Sequence, residues 1–208
     1  MKSDNTDIST LPVPDDSELF FASFKTLSER HWQIVNLENC WGYQIQQNSK
    51  WKPGLTDAEL LKFEEEMGFA FPQPLRSFYK VMNGIDKPGI NICGNDGSPA
   101  KYLPVFYSYP QDLALIKDTI NWIFEANSIT GDELLPAGIS RIFPVHSHRF
   151  VLIDIPGNPV LSMYGNDIIY YGDNISKLLI RDIFNYAKIP RRYKSKIEVD
   201  TEIKFWFR

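Results

Sequence analysis

The chain has 208 residues, with little cysteine, little histidine and no long apolar run. Two cysteines, Cys40 and Cys93, cannot build the disulfide framework of a small secreted domain. No stretch approaches the roughly 20 apolar residues that cross a bilayer. The opening MKSDNTDIST lacks the basic region and apolar core of a secretory signal. These absences point to a cytoplasmic protein with no membrane partner. A basic excess is missing too: the net charge is −4, and only RRYKSK (191–196) resembles the basic stripe of a nucleic-acid binder. That run reads as a solvated charge cluster, so no nucleic-acid partner is expected. There is no Gly-x-Ser-x-Gly elbow. Gly89, Gly94 and Gly97 are not followed by the Lys-Ser/Thr of a phosphate loop. No cofactor is expected.

What the chain has is aromatic mass: 14 Phe, 10 Tyr and 5 Trp. A disordered chain lacks such apolar bulk, and the length fits one domain. Residues 1–17, with Pro12, Pro14 and a run of acids, read as a flexible acidic tail; 18–208 read as the domain. Residues 21–208 balance overall, but 101–187 carry nine acids and six bases, whereas 188–208 carry seven bases and three acids.

Periodicity supplies the elements. Ser17 caps a helix carrying Phe20, Phe21, Phe24 and Leu27. Trp41, Tyr43 and Ile45 alternate as in a half-buried strand. Thr56 and Glu59 form a capping box before Leu60, Phe63 and Met67, and Gly68 ends that helix. After Pro72 a second helix carries Leu75, Phe78, Tyr79 and Met82, with Asn83–Gly84 as its stop. Glu64–Glu66 read as a solvated helix face, with Glu65 the one candidate for a structural contact. Residues 86–100 read as a loop around Ile90–Cys93, 101–109 as a strand, and 128–140 as a loop. Pro110 opens a long helix with Leu113, Ile116, Ile120 and Ile123 inward. From 141 to 171 apolar runs alternate with Pro156-Gly157-Asn158 and Gly165-Asn166, the signature of an antiparallel meander. Asp173 or Asn174 caps a last helix. The alternation from Ile197 to Phe207 predicts a strand at a sheet edge. That edge could pair with a second copy to give a homodimer. The fold class is α+β: a single domain, with helices on one face of a mainly antiparallel sheet.

Candidate chemistry is sparse. His146 and His148 at i and i+2 could share a face and hold zinc, with Asp154 or His31 as a third ligand. No spacing demands this, and ordinary hydrogen bonding by these histidines is the simpler reading. No metal site is assigned. Neither cysteine carries the signature of a thiol enzyme. Trp51, Trp122 and Trp206 could anchor an interface, although Trp122 reads as core. Tyr107, Tyr109, Tyr164, Tyr170 and Tyr171 fall on or near three strands, where alternation would send some outward.

The order Trp51–Gly54–Leu55–Thr56, Glu59, Glu65, Gly68, Phe71–Pro72, Phe78–Tyr79, Asn83–Gly84 resembles the opening of the SUKH superfamily, proteins similar to the fungal cell-wall-synthesis regulator SMI1/KNR4. Ile142–Pro144, His148-Arg149-Phe150, Asn158–Ser162, Asp167–Gly172 and the closing Ile203–Trp206 are similar to its later segments. The resemblance covers roughly 41–206. It implies an α+β fold and, for bacterial members, immunity: stoichiometric binding of a cognate toxin domain, often a nuclease or deaminase, without catalysis. Other members act as regulatory adaptors. On the immunity reading the candidate partner contacts are Asp86, Asp96, Tyr107, Tyr109, Arg149, Tyr170 and Tyr171. The rivals are an adaptor recruited through the acidic tail and a metal enzyme using His146, His148 and Asp154.

Overall fold

A computed structural model of the chain describes residues 6–34, 42–92, 99, 101–184, 188–196 and 203–207. Trp41, Cys40 and Cys93, and the 197–202 part of the C-terminal alternation, lie outside them. The helices start where the capping chemistry places them. In α1 (Glu18–His31) the Ser17 hydroxyl accepts from the Phe20 amide at 3.2 Å, and Phe20, Phe21 and Phe24 are buried. In α2 (Asp57–Met67) the Glu59 carboxylate accepts from the Thr56 amide at 2.8 Å, and Gly68 closes the helix at φ 78°. A left-handed residue there is tolerated because glycine has no Cβ.

Helix α3 (Gln73–Val81) follows Pro72. Met82, expected on its stripe, is instead the first residue of a strand. The cause is the next residue. The Asn83 side chain accepts from the Tyr109 amide at 2.8 Å and donates to the Tyr109 carbonyl at 2.7 Å. This clamp draws the 104–109 segment over the chain leaving α3. Gly84 at φ 75° completes it, since a Cβ there would lie 2.0 Å from Ser108 Oγ.

Among the described residues, nine strands form three antiparallel groups. β1 (Gly42–Gln44), β4 (Gly89–Ile92) and β5 (Lys101–Leu103) order as β1-β4-β5; β2 (Trp51–Pro53) pairs with β3 (Met82–Ile85). The expected meander is β6 (Ile142–His146), β7 (Arg149–Leu152), β8 (Val160–Tyr164) and β9 (Asp167–Gly172), each paired with its sequence neighbour. Helix α4 (Leu113–Ala126) packs on β6, and α6 (Ile175–Ile183) packs on β9 and α1. One apolar cluster joins α1, α2, α3, α4, α6, β2, β3 and the meander, from Phe20 in α1 to Leu179 in α6. The fold is a single α+β domain, as the patterning predicts.

The structure departs from the sequence reading at further places, among them the expected 86–100 loop, where Gly89–Ile92 is strand β4. The expected 101–109 strand stops at Leu103; Val105, Phe106, Tyr107 and Tyr109 leave the sheet and enter the core. The expected 128–140 loop contains a seven-residue helix, α5 (Gly131–Ala137), started by a Thr130/Glu133 capping box. Within Glu64–Glu66, Glu64 makes the structural contact: it is buried, accepting from the Phe71 amide at 2.7 Å and from Arg76 Nη1 at 2.5 Å. Residues 6–17, read as tail, lie against the body. Ile8 and Leu11 are buried, and the Asp16 carboxylate accepts from the Ser176 amide at 2.6 Å at the start of α6. Finally, 203–207 is a tight turn in place of an extended strand. Ile203 and Phe207 exchange backbone hydrogen bonds of 2.7 and 2.9 Å, and Trp206 Nε1 donates to the Ser140 carbonyl at 2.7 Å. Among the described residues no helix is long and apolar enough to cross a membrane.

Candidate functional site

Of the five tyrosines named from sequence, only Tyr164 stands out into solvent, and the others do not join it in a surface. Tyr107, Tyr109 and Tyr171 are only 6%, 4% and 8% exposed. Tyr107 donates its hydroxyl to the Ser147 carbonyl at 3.1 Å, and Tyr109 stacks on Phe63 at 4.4 Å between centroids. Alternation misplaces the first two because 104–109 is not strand. Tyr170 is half-buried on β9 and donates to Asp173 at 3.1 Å. Asp86 is exposed, and its carboxylate accepts from the Lys50 amide at 2.7 Å, closing the β2–β3 end. Asp96 lies outside the described residues.

Arg149 belongs to a buried ionic cluster. His146 Nδ1, at the end of β6, lies 2.8 Å from Asp182 Oδ2 on α6, and Arg149 Nε on β7 lies 3.5 Å from the same oxygen. Both approaches are ion-pair contacts without the alignment of a good hydrogen bond. The Tyr171 hydroxyl donates to the other Asp182 oxygen. The Tyr171 ring is sandwiched by two guanidiniums, Arg149 at 3.9 Å and Arg181 at 3.7 Å from its centroid. Burial works against the Asp182 charge, but His146, Arg149 and the Tyr171 hydroxyl together outweigh it and hold the carboxyl below the usual range. Burial, then the Asp182 charge, pushes the Tyr171 phenol up to about 12. His148, bonded to Arg149, is held down at about 4, first by burial and then by the Arg149 charge. The cluster fixes α6 to β6, β7 and β9.

The residues weighed for zinc sit apart. Asp154 pairs with Arg141, accepting from its backbone amide at 2.8 Å and from Nε at 3.0 Å. His31 Nδ1 is 2.9 Å from Thr6 Oγ1 and packs on Phe184. Among the described residues no group of three or more His, Cys, Asp or Glu is placed to hold a metal.

The exposed feature of note lies elsewhere. Leu103, Leu115, Trp122 and Tyr164 surround a depression of about 170 Å³ floored by Tyr107, Ser147 and His148. Trp122, expected in the core, is 40% exposed, and Tyr164 is 63% exposed. Their rings meet edge to face at 5.2 Å, and the His148 ring meets Tyr164 at 6.1 Å. Local structure explains the placement. Ile116, Ile120 and Ile123 take the inner stripe of α4, which leaves Leu115 and Trp122 on the outer one. Tyr164 ends β8 just before the Gly165–Asn166 hairpin. The Asn127 amide donates to Ile123 O at 2.8 Å and Gly165 O at 3.1 Å, tying that hairpin to the end of α4. Apolar residues off the inner stripe of α4 are the signal that sequence reading passed over. The face offers a dry aromatic centre with few rotatable bonds, which suits protein recognition. A second concavity, about 490 Å³, lies among α2, α4 and α5, with Phe69, Ile120, Phe124 and Leu134 in its lining and Glu66 and Lys117 at its edge.

No curated protein and no solved structure matches the chain. The SMI1 / KNR4 family (SUKH-1) matches residues 54–185, a narrower span than the 41–206 expected from motifs. It contains α2 to α6, the buried cluster and the exposed aromatic face. The chain therefore belongs to the SMI1 / KNR4 family (SUKH-1).

Proposed function

We propose that the protein is an immunity protein. It binds a cognate toxin domain of nuclease or deaminase type in the cytoplasm and neutralises it by stoichiometric contact, with no chemistry of its own. Family membership supports a role of this kind. The observation that carries the reading is the outward set Leu103, Leu115, Trp122 and Tyr164, held by β5, α4 and the β8–β9 hairpin. Monomeric domains rarely leave a large aromatic pair clustered with aliphatics in solvent unless that face meets a partner. Meanwhile the groups that could do chemistry are engaged with one another: His146 and Arg149 with Asp182, and Arg141 with Asp154. A typical interface covers about 1,600 Å² in total, with a few aromatic anchors supplying most of the affinity.

The test is co-expression with the toxin domain encoded beside the chain's own gene. The proposal predicts that cells survive and that a one-to-one complex co-purifies. Death of the cells despite soluble expression of the chain would overturn it.

A further inference from the structure

The charge around the aromatic face narrows the kind of partner. Residues 115, 118, 122 and 125 follow one another at i, i+3, i+7 and i+10, so Asp118 and Glu125 flank Leu115 and Trp122 on α4. Asp167 lies directly across from Tyr164 in the β8–β9 pairing. All three carboxylates are exposed, and no ion pair among the described residues engages them. The nearby cations are few. Lys101 lies on β5 beside the face, whereas Lys117, on the far side of α4, lines the other concavity. In the basic 188–196 stretch, Arg192 is engaged elsewhere, donating to Ser9 O at 2.7 Å.

From this arrangement we infer that the face formed by α4 and the β8–β9 hairpin docks a protein whose own surface is basic around an apolar centre. The inference rests on the immunity reading and deepens it by naming the docking face and the partner's charge. Trp122 and Tyr164 would enter an apolar recess of the partner. Asp118, Glu125 and Asp167 would then meet its lysines and arginines at the rim. Rim charges act chiefly on the rate of encounter and are screened by salt, whereas buried anchors act on the rate of escape.

The test uses the full chain and the toxin domain encoded beside its gene, with association and dissociation rates measured at low and high salt. Trp122→Ala with Tyr164→Ser is expected to weaken binding about tenfold or more, mainly through faster dissociation. Asp118→Lys with Glu125→Lys and Asp167→Lys is expected to slow association about tenfold at low salt, the difference fading near ~0.5 M salt. Leu61→Ser with Leu135→Ser, exposed residues away from the face, should change neither rate. Unchanged thermal unfolding of each variant separates docking effects from misfolding. A wild-type complex indifferent to the aromatic and charge variants, or one that forms faster after charge reversal, overturns this inference and leaves the immunity reading standing. No complex with the wild-type chain overturns both.

Discussion

Replacing Asp182 by Asn would leave the Arg149 guanidinium buried beside a neutral amide, with Tyr171 still stacked between two cations. Removing one partner of a buried pair costs about 3–5 kcal/mol, because the remaining charge stays desolvated. Asp182→Asn should therefore destabilise the domain by roughly that amount, read from denaturant midpoints at constant m. His148 makes a separate, pH-dependent prediction. In the fold its pKa is held at about 4, against 6.5 for an ordinary histidine. Between those values the unfolded chain takes a proton that the folded chain refuses. This contribution is full above pH 6.5 and is lost as pH falls toward 4. His148→Gln, which cannot take the charge, should flatten the stability profile in that window. Asp182, whose folded pKa is depressed below 3.8, acts lower still: its contribution is present above pH 3.8 and disappears as pH falls through its folded value. Asn83 offers a third residue-scale test. Asn83→Ala leaves the buried amide and carbonyl of Tyr109 without their partners. A loss of about 2 kcal/mol or more is expected, since each unsatisfied buried group costs about 1–3 kcal/mol.

At the scale of elements, the N-terminal segment is the sharpest test. Ile8 and Leu11 are buried, the Tyr193 hydroxyl donates to Leu11 O at 2.7 Å, and Asn174 at the start of α6 donates to Pro14 O at 2.7 Å. Deleting residues 1–16 should thus lower the unfolding midpoint markedly. Burial of the two aliphatic side chains alone is worth about 3 kcal/mol or more. A freely dangling tail would cost nothing to remove. The elements that sequence reveals are those with a local cause. Ser17, Thr56 and Asn174 each cap a helix through their own side chains, and Gly165–Asn166 supplies the turn chemistry of its own hairpin. Other features depend on partners far along the chain. Asn83 ends α3 through Tyr109, and 104–109 leaves the sheet because its aromatics fit a core built by α2 and α3. Helix α5 stayed hidden because Gly131, Pro136 and Gly138 crowd a seven-residue segment, although Thr130 and Glu133 carried the same capping signal as Thr56 and Glu59. At 203–207, alternation suits a closed turn as well as a strand, and anchoring of Trp206 to Ser140 selects the turn.

For the whole molecule, the legible part of the site was the family likeness and the aromatic wealth. The proposed docking face was not legible as a unit, because Leu103, Leu115, Trp122 and Tyr164 come from three elements that only the tertiary fold brings together. Of the tyrosines chosen by strand alternation, Tyr164 stands on that face, whereas Tyr109 stacks on Phe63 and Tyr171 lies between Arg149 and Arg181. The central claim is that the protein works by covering a partner, one molecule on one, and consumes nothing. The most direct measurement titrates the purified chain into a fixed amount of the toxin domain encoded beside its gene and follows the remaining toxin activity. The account predicts a linear fall that ends at one equivalent. Full loss at a small fraction of an equivalent would mean turnover and would contradict it, as would undiminished activity at a large excess of the chain.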